Sequence, residues 1–268
     1  MLLPAFDPVA FSLGPIVVRW YALAYIAGLI GGWIYARRLA GAASLWPQRF
    51  RAPTGVELDD LLVYAALGVV LGGRLGFCFI YQPAYFLQNP LEIVQVWKGG
   101  MSFHGGLFGA AIAVFAWARS RGLEPFAMLD IASAVAPLGI LFGRIANFVN
   151  GELWGRPADV PWAIVFPQAG PEPRHPSQLY EGFFEGLVLL LLLGWIIRRF
   201  GFHQPGLAAG MFGMGYAVAR FGCEFFREPD RHLGFLAGGW LTMGMVLSIP
   251  MFLAGLWLVI RARRNAAP

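Results

Sequence analysis

Apolar residues recur along this chain in long runs, broken by short stretches rich in glycine, proline and charge. A helix needs roughly 20 apolar residues to cross a bilayer. Seven runs approach that length: about Ile16–Ala36, Leu61–Tyr81, Gly105–Ala118, Ala127–Phe148, Leu179–Ile197, Leu207–Phe226 and Trp240–Ile260. The third is short unless Ser102 to His104 belong to it. Pro137 and Gly139 predict a kink or break in the fourth. The expected fold class is an all-α integral membrane protein with seven transmembrane helices. It forms one polytopic domain over residues 1–268.

The charged positions orient this pattern. Arg37 and Arg38 follow the first run, Arg119 and Arg121 the third, Arg198 and Arg199 the fifth, and Arg261, Arg263 and Arg264 the seventh. Every odd helix thus ends in a basic cluster, and alternation puts all four clusters on one side. The positive-inside rule makes that side the cytoplasm. The N-terminus is then outside and the C-terminus cytoplasmic. Outside connections fall near 82–104, 149–178 and 227–239, long for a helix bundle and so candidates for function. The segment "PAYFLQNPLEIVQVW" has the make-up of a piece lying in the interface plane.

Composition agrees with the pattern. Hydrophobic residues make up 58% of the chain and charged residues 13%, against about 25% charged in a soluble domain. The net charge of +5 is read as topology rather than as a nucleic-acid footprint. Cys78 and Cys223 lie in apolar runs without CxxC or Cys/His spacing, so neither a disulfide nor a metal site is expected. The opening "MLLPAFDPVAFSLGP" lacks a basic region and carries Asp7, so the first run is expected to stay as a helix and not to be cleaved.

Polar residues inside the apolar runs carry the functional signal, because each charge costs roughly 2.5–3.5 kcal/mol at the bilayer centre. Topology brings all of them toward the outer leaflet. Tyr21 ends the first helix on that side, where an aromatic belt residue is also common. Arg74 lies in "LGGRLGF", with an ion pair and a lipid-phosphate contact as equal alternatives. His104 opens the third helix between aromatic and glycine neighbours, where the helix N-terminus favours neutral imidazole. Arg144 and Asn147 share one helix face, with Asn150 and Glu152 continuing toward the exit. Tyr216, Arg220 and Glu224 form a stripe at spacing four, which Arg227 prolongs, beside a small stripe of Ala209, Gly213 and Ala217. "RHPSQLYEGFFEG" adds Arg174, His175, Gln178, Glu181 and Glu185 near the start of helix five. Guanidinium groups bind phosphate in a forked geometry; the alternative for each is a structural pair with a nearby glutamate. The residues describe a membrane enzyme or a transporter that handles an anionic amphiphile in the outer leaflet.

Four motifs, "GGMSFHGGL", "GRIANFVNGELWGR", "RHPSQLYEG" and "EFFREPD", occur in that order. Together they resemble the bacterial prolipoprotein diacylglyceryl transferases over nearly the whole chain. The resemblance implies transfer of the diacylglyceryl group of phosphatidylglycerol to the thiol of a lipobox cysteine in a preprolipoprotein signal peptide. A thioether forms and glycerol phosphate leaves. It also implies the bacterial cytoplasmic (inner) membrane, an active site toward the outer leaflet, and no cofactor or metal. Functional roles carry over to Tyr21, His104, Arg144, Asn147, Glu152, Gly155, Tyr216, Arg220 and Glu224; Arg74 joins them from the residue reading. The expected assignment makes His104 the base, sets Arg144 and Arg220 on the phosphate, lets Asn147 and Tyr21 supply hydrogen bonds, and has Glu152 and Glu224 orient the arginines. Two features depart from the family pattern: Met245 stands where a glutamine follows Met-Gly, and the loop before "RHPSQLY" is short. The rival classes are a transporter or flippase of an anionic lipid and a non-catalytic membrane scaffold.

Overall fold

The computed structural model describes residues 9–14, 16–229 and 234–266. The expectations for the opening eight residues, and part of the predicted connection 227–239, lie outside the described residues. The molecule is a mostly helical integral membrane protein: α1 (Trp20–Gly41), α2 (Gly55–Tyr81), α3 (Pro83–Gln88), α4 (Phe103–Ser120), α5 (Pro125–Val149), α6 (Ser177–Phe200), α7 (Leu207–Cys223) and α8 (Met243–Arg264). Of these, α2, α5, α6 and α8 are long and apolar enough to cross a membrane by length and composition alone. Their outward faces are oily, with Leu71 61%, Leu191 65% and Leu253 58% exposed. Water would penalise such a surface, and a lipid surround does not.

Each predicted apolar run is helical over most of its length, and local chemistry moved the ends. The first run was expected to be helical from Ile16. Instead, β1 (Val9–Leu13) and β2 (Ile16–Arg19) pair antiparallel, and α1 starts only at Trp20. The β-branched Ile16, Val17 and Val18 favour that extended form. α2 begins six residues before the expected Leu61, because Thr54 and Glu57 close a capping box. Ser102 accepts from the Gly105 amide at 3.1 Å and starts α4 two residues early, which brings His104 into the helix. Helix α5 runs unbroken through Pro137. The arginines expected after the odd helices, Arg121 excepted, lie within those helices, all but Arg37 in the final turn.

Backbone contact between glycines draws the helices together. Gly68, Gly72 and Gly76 of α2 face Gly105 and Gly109 of α4; a Cβ on Gly109 would stand 2.8 Å from the Gly72 Cα. Gly210 and Gly213 of α7 meet Gly255 of α8 in the same manner. Helix α5 is central and touches α1, α4, α6 and α7.

The two ends of the bundle differ in chemistry. At one end, Arg37 pairs with Asp59 at 3.8 Å, Arg121 with Asp60 at 2.8 Å, and Arg261 stacks over Phe126. The hydrophobic core lies toward this end and includes Trp117, Met128, Ile131, Leu193 and Ile197. Asp130, buried there, accepts from the Gly206 and Ala209 amides at 2.8 and 2.7 Å and caps α7. At the other end buried polar side chains gather among the apolar ones: Arg74, Asn147, Gln178, Glu181, Glu185, Arg220 and Glu224.

Candidate active site

The buried charges at the polar end form one network. Arg144 of α5 reaches Glu181 at 2.5 Å and Glu185 at 3.5 Å, both on α6. Arg220 of α7 reaches Glu181 at 3.0 Å and Glu185 at 3.7 Å, and it also pairs with Glu224. Arg227 stands 3.9 Å from Glu224. Close helix approach makes this possible. Gly182 and Gly186, each next to one of the two glutamates, face Arg144 and Leu141 of α5, and a Cβ on Gly186 would sit 2.9 Å from the Leu141 Cα. The π-helical turn Gly182–Val188 lies in this contact.

Arg144 and Arg220 present their other side to a cavity of about 480 Å³. Its wall also includes His104, Tyr216, Glu224, Arg227 and Thr242. Tyr216 is held by stacking on Phe103, 5.4 Å between ring centres. His104 Nε2 is buried and has no hydrogen-bond partner among the described residues, so its lone pair or proton is uncommitted. A second cavity, about 690 Å³ and apolar, runs between α2, α4 and α8. Leu71, Leu75, Phe108 and Ile112 line it, and it shares His104 and Leu247 with the polar cavity. A cation-lined chamber and a greasy groove thus share His104 and Leu247 in their walls. That is the shape of an amphiphile with an anionic head.

The family model for prolipoprotein diacylglyceryl transferase matches residues 8–261 of this chain. The chain belongs to that family. It is 59% identical over 266 residues to a phosphatidylglycerol–prolipoprotein diacylglyceryl transferase of Methylocella silvestris, covering 99% of this chain and 97% of the relative. Relatives of the same name from Agrobacterium fabrum and Brucella canis are 56% and 52% identical, each covering 98% of this chain and 94% of the relative.

On this member of the diacylglyceryl transferase family, the expected site residues divide into two groups. His104, Arg144, Tyr216, Arg220 and Glu224 come together around the polar cavity. Tyr21, Asn147, Glu152, Gly155 and Arg74 do not line it. Tyr21 bonds Tyr25 at 2.8 Å, although it stays within electrostatic reach of Arg144 and Glu152. Asn147 donates to the Glu152 carboxylate at 2.9 Å, and Gln178 donates to the Glu152 carbonyl at 2.6 Å. Glu152 was expected to orient Arg144. It instead locks the turn after α5, and Glu181 and Glu185 hold the arginine. Gly155 is a contact point between loops: its amide donates to the His175 carbonyl, and a Cβ there would meet that oxygen at 2.6 Å and the Phe226 oxygen at 2.5 Å.

Arg74 makes no ion pair among the described residues and does not line the polar cavity. Its guanidinium donates to the carbonyls of Glu92, Ile93, Gly99 and Gly100, at 2.6, 2.8, 2.5 and 3.2 Å. The cation clasps the connection between α3 and α4, whose Gly100 and Met101 form cavity wall. Glu181 and Glu185 had been noted near the start of helix five without a role. Their signal was the repeat Glu-Gly-x-x-Glu-Gly, which aligns two acids and two small residues on neighbouring stripes. Outside the helices, Arg156 ties the loop to the end of α7 through the Glu224 and Arg227 carbonyls. Burial pushes the His175 imidazole below its ordinary pKa, in keeping with a neutral ring bonded to Tyr180 at 3.1 Å.

Proposed function

We propose that this protein transfers the diacylglyceryl group of phosphatidylglycerol to the lipobox cysteine thiol of preprolipoproteins. One observation carries the reading beyond family membership: the cation-lined cavity and the apolar groove lie against the same residue, His104. In this pose the lipid phosphate meets Arg144 and Arg220 while acyl chains occupy the groove. The peptide thiol, with a reference pKa near 8.5, needs a base at neutral pH. His104 accepts its proton. The sulfur attacks the glyceryl carbon that bears the phosphate, the carbon–oxygen bond breaks, and its electron pair leaves on the phosphate monoester. The two guanidinium groups stabilise that growing charge. Glu224 positions Arg220, and Tyr216 closes the chamber floor.

We further place the protein in the bacterial cytoplasmic membrane as a single domain of seven spans, with the polar cavity toward the outer leaflet and the C-terminus in the cytoplasm. The gathering of Arg37, Arg121 and Arg261 at the opposite end supports that orientation. The decisive experiment follows label from the lipid glycerol to a lipobox peptide with purified protein. A thioether-linked diacylglyceryl peptide is the expected product. Movement of labelled lipid between leaflets without a thioether would establish a transporter instead, and neither outcome would leave a scaffold.

A further inference from the structure

The network behind the cavity poses a problem of charge. Arg144, Arg220 and Arg227 contribute three positive charges, and Glu181, Glu185 and Glu224 contribute three negative ones. Counted over these six described residues, with every group ionised, the charges cancel before any lipid enters. Glu181 and Glu185 are both 0% exposed and neither lines the cavity; they stand behind the two arginines that do. A phosphodiester anion reaching those arginines must share them with the carboxylates already there. It also leaves the buried site with one uncompensated negative charge, which low dielectric makes costly. Two observations point to where compensation occurs. The carboxylates are stacked at i and i+4 around shared arginine donors. Oε1 of Glu181 is buried with no hydrogen-bond partner among the described residues, and Oε1 of Glu185, likewise without a hydrogen bond, stands 3.7 Å from Arg220 Nη1. An orphan carboxylate oxygen is where a proton adds most readily, and two adjacent carboxylates share one proton better than they hold two charges.

We propose that Glu181 and Glu185 are a proton-loading counter-ion pair. As the phosphodiester of the lipid accepts hydrogen bonds from Arg144 and Arg220, one proton from water adds to the glutamate pair; it is given up again when the phosphate product leaves. An O–H bond forms on one carboxylate and one breaks in the solvent or buffer acid that donates the proton, whose conjugate base stays in solution, so charge is conserved at each stage. The inference rests on the phosphatidylglycerol reading above and adds a positioning role for two residues that do not touch substrate. The groups facing the pair are Arg144 from α5, Arg220, Tyr216, Cys223 and Glu224 from α7, and Arg227 from the segment that follows. Among these, the glutamates of the pair are the only acids directly shared by both cavity arginines.

The test is calorimetric binding of dihexanoyl phosphatidylglycerol to the detergent-solubilised full chain. Titrations are run at one pH in buffers of different ionisation enthalpy, then repeated from pH 6 to pH 8. The wild-type protein is expected to take up about one proton per lipid, and its affinity to fall by up to about tenfold per pH unit. Glu185→Gln removes one charge in advance, so it is expected to bind at least as tightly at pH 8 with the proton uptake largely gone. Glu181→Gln serves as the second variant and is expected to behave alike. A structural role alone would lower affinity in the variants and leave the proton count unchanged. Wild-type binding without proton uptake would overturn the inference whatever the variants do, as would full uptake in both variants. Label transfer to a lipobox peptide is measured on the same wild-type sample. Transfer without proton uptake sinks this inference alone, whereas uptake on binding without transfer upholds it and sinks the transferase reading.

Discussion

The cavity separates residues whose chemistry is aimed at a ligand from residues that only resemble such groups. Arg144 and Arg220 are aimed at it; Arg144 meets its two carboxylates through Nη2 alone, whereas Arg220 uses both Nη1 and Nη2. A lysine keeps the charge but offers a single point donor in place of the fork. Arg144→Lys and Arg220→Lys are therefore expected to lose about 10- to 100-fold in label transfer, the worth of one or two charge-assisted hydrogen bonds. Both variants should still appear in the membrane fraction in normal amounts, and near-normal transfer in both would remove the forked-phosphate role. For His104, an uncommitted Nε2 on the boundary of both cavities sets the expectation. His104→Gln retains hydrogen bonding but no base. Transfer at pH 7 is expected to drop about 100- to 10,000-fold. Part of the loss should return at pH 9, where the peptide thiol ionises unaided, and lipid binding should hold. Full activity of His104→Gln at pH 7 would end the general-base role. Sequence alone singled out these three side chains because a charge or imidazole in an apolar run is conspicuous. It did not show the partners of Arg74: four backbone carbonyls satisfy this buried guanidinium, and carbonyls leave no trace in a sequence.

Helix pairing depends on where side chains are missing. α2 and α4 touch along Gly68, Gly72 and Gly76 against Gly105 and Gly109, with Ser102 and His104 at the end of the seam. Any larger residue in that seam forces the pair apart. Gly109→Leu is expected to lower the thermal unfolding midpoint in detergent by the equivalent of at least about 1–3 kcal/mol. It should also lower transfer, because His104 shifts with α4. Gly31→Ala on α1, where a Cβ meets nothing within 4 Å, is the matched control and should leave both readouts unchanged. A Gly109→Leu protein as stable as wild type would show that the seam tolerates separation. The glycines of "LGGRLGF" and the small stripe on α7 announced close approach in the sequence. Which partner each stripe would meet was set by three-dimensional packing.

At the scale of the molecule, charge is sorted by end. Basic helix termini and the hydrophobic core lie together, and buried ion pairs with two cavities lie at the far end. The orientation proposed above puts the cavity end outward. Single cysteines test this against a background in which Cys78 and Cys223, both buried, are replaced. In intact cells, Ala158→Cys on the loop beside the cavity end should react with an impermeant thiol reagent. Ala266→Cys, just beyond α8, should react only after the cells are opened. The reverse pattern would overturn the orientation.

Much of this organisation was decided by the sequence itself. Apolar runs separated by charge define the helices, since backbone amides have no other way to be satisfied in lipid. Basic residues at alternate helix ends define the two sides. Conspicuous charges within apolar runs point to His104, Arg144 and Arg220, and four ordered motifs point to the family. The tertiary structure alone decided how those charges are balanced. Glu181 and Glu185 became counter-ions because glycines at positions 182 and 186 let α6 approach α5 to backbone distance. Glu152 was drawn away to Asn147, and Arg74 to a loop. Pair energies fall off within a few ångströms in such a site. Which acid serves which arginine therefore depends on helix separations that no single segment of the chain encodes.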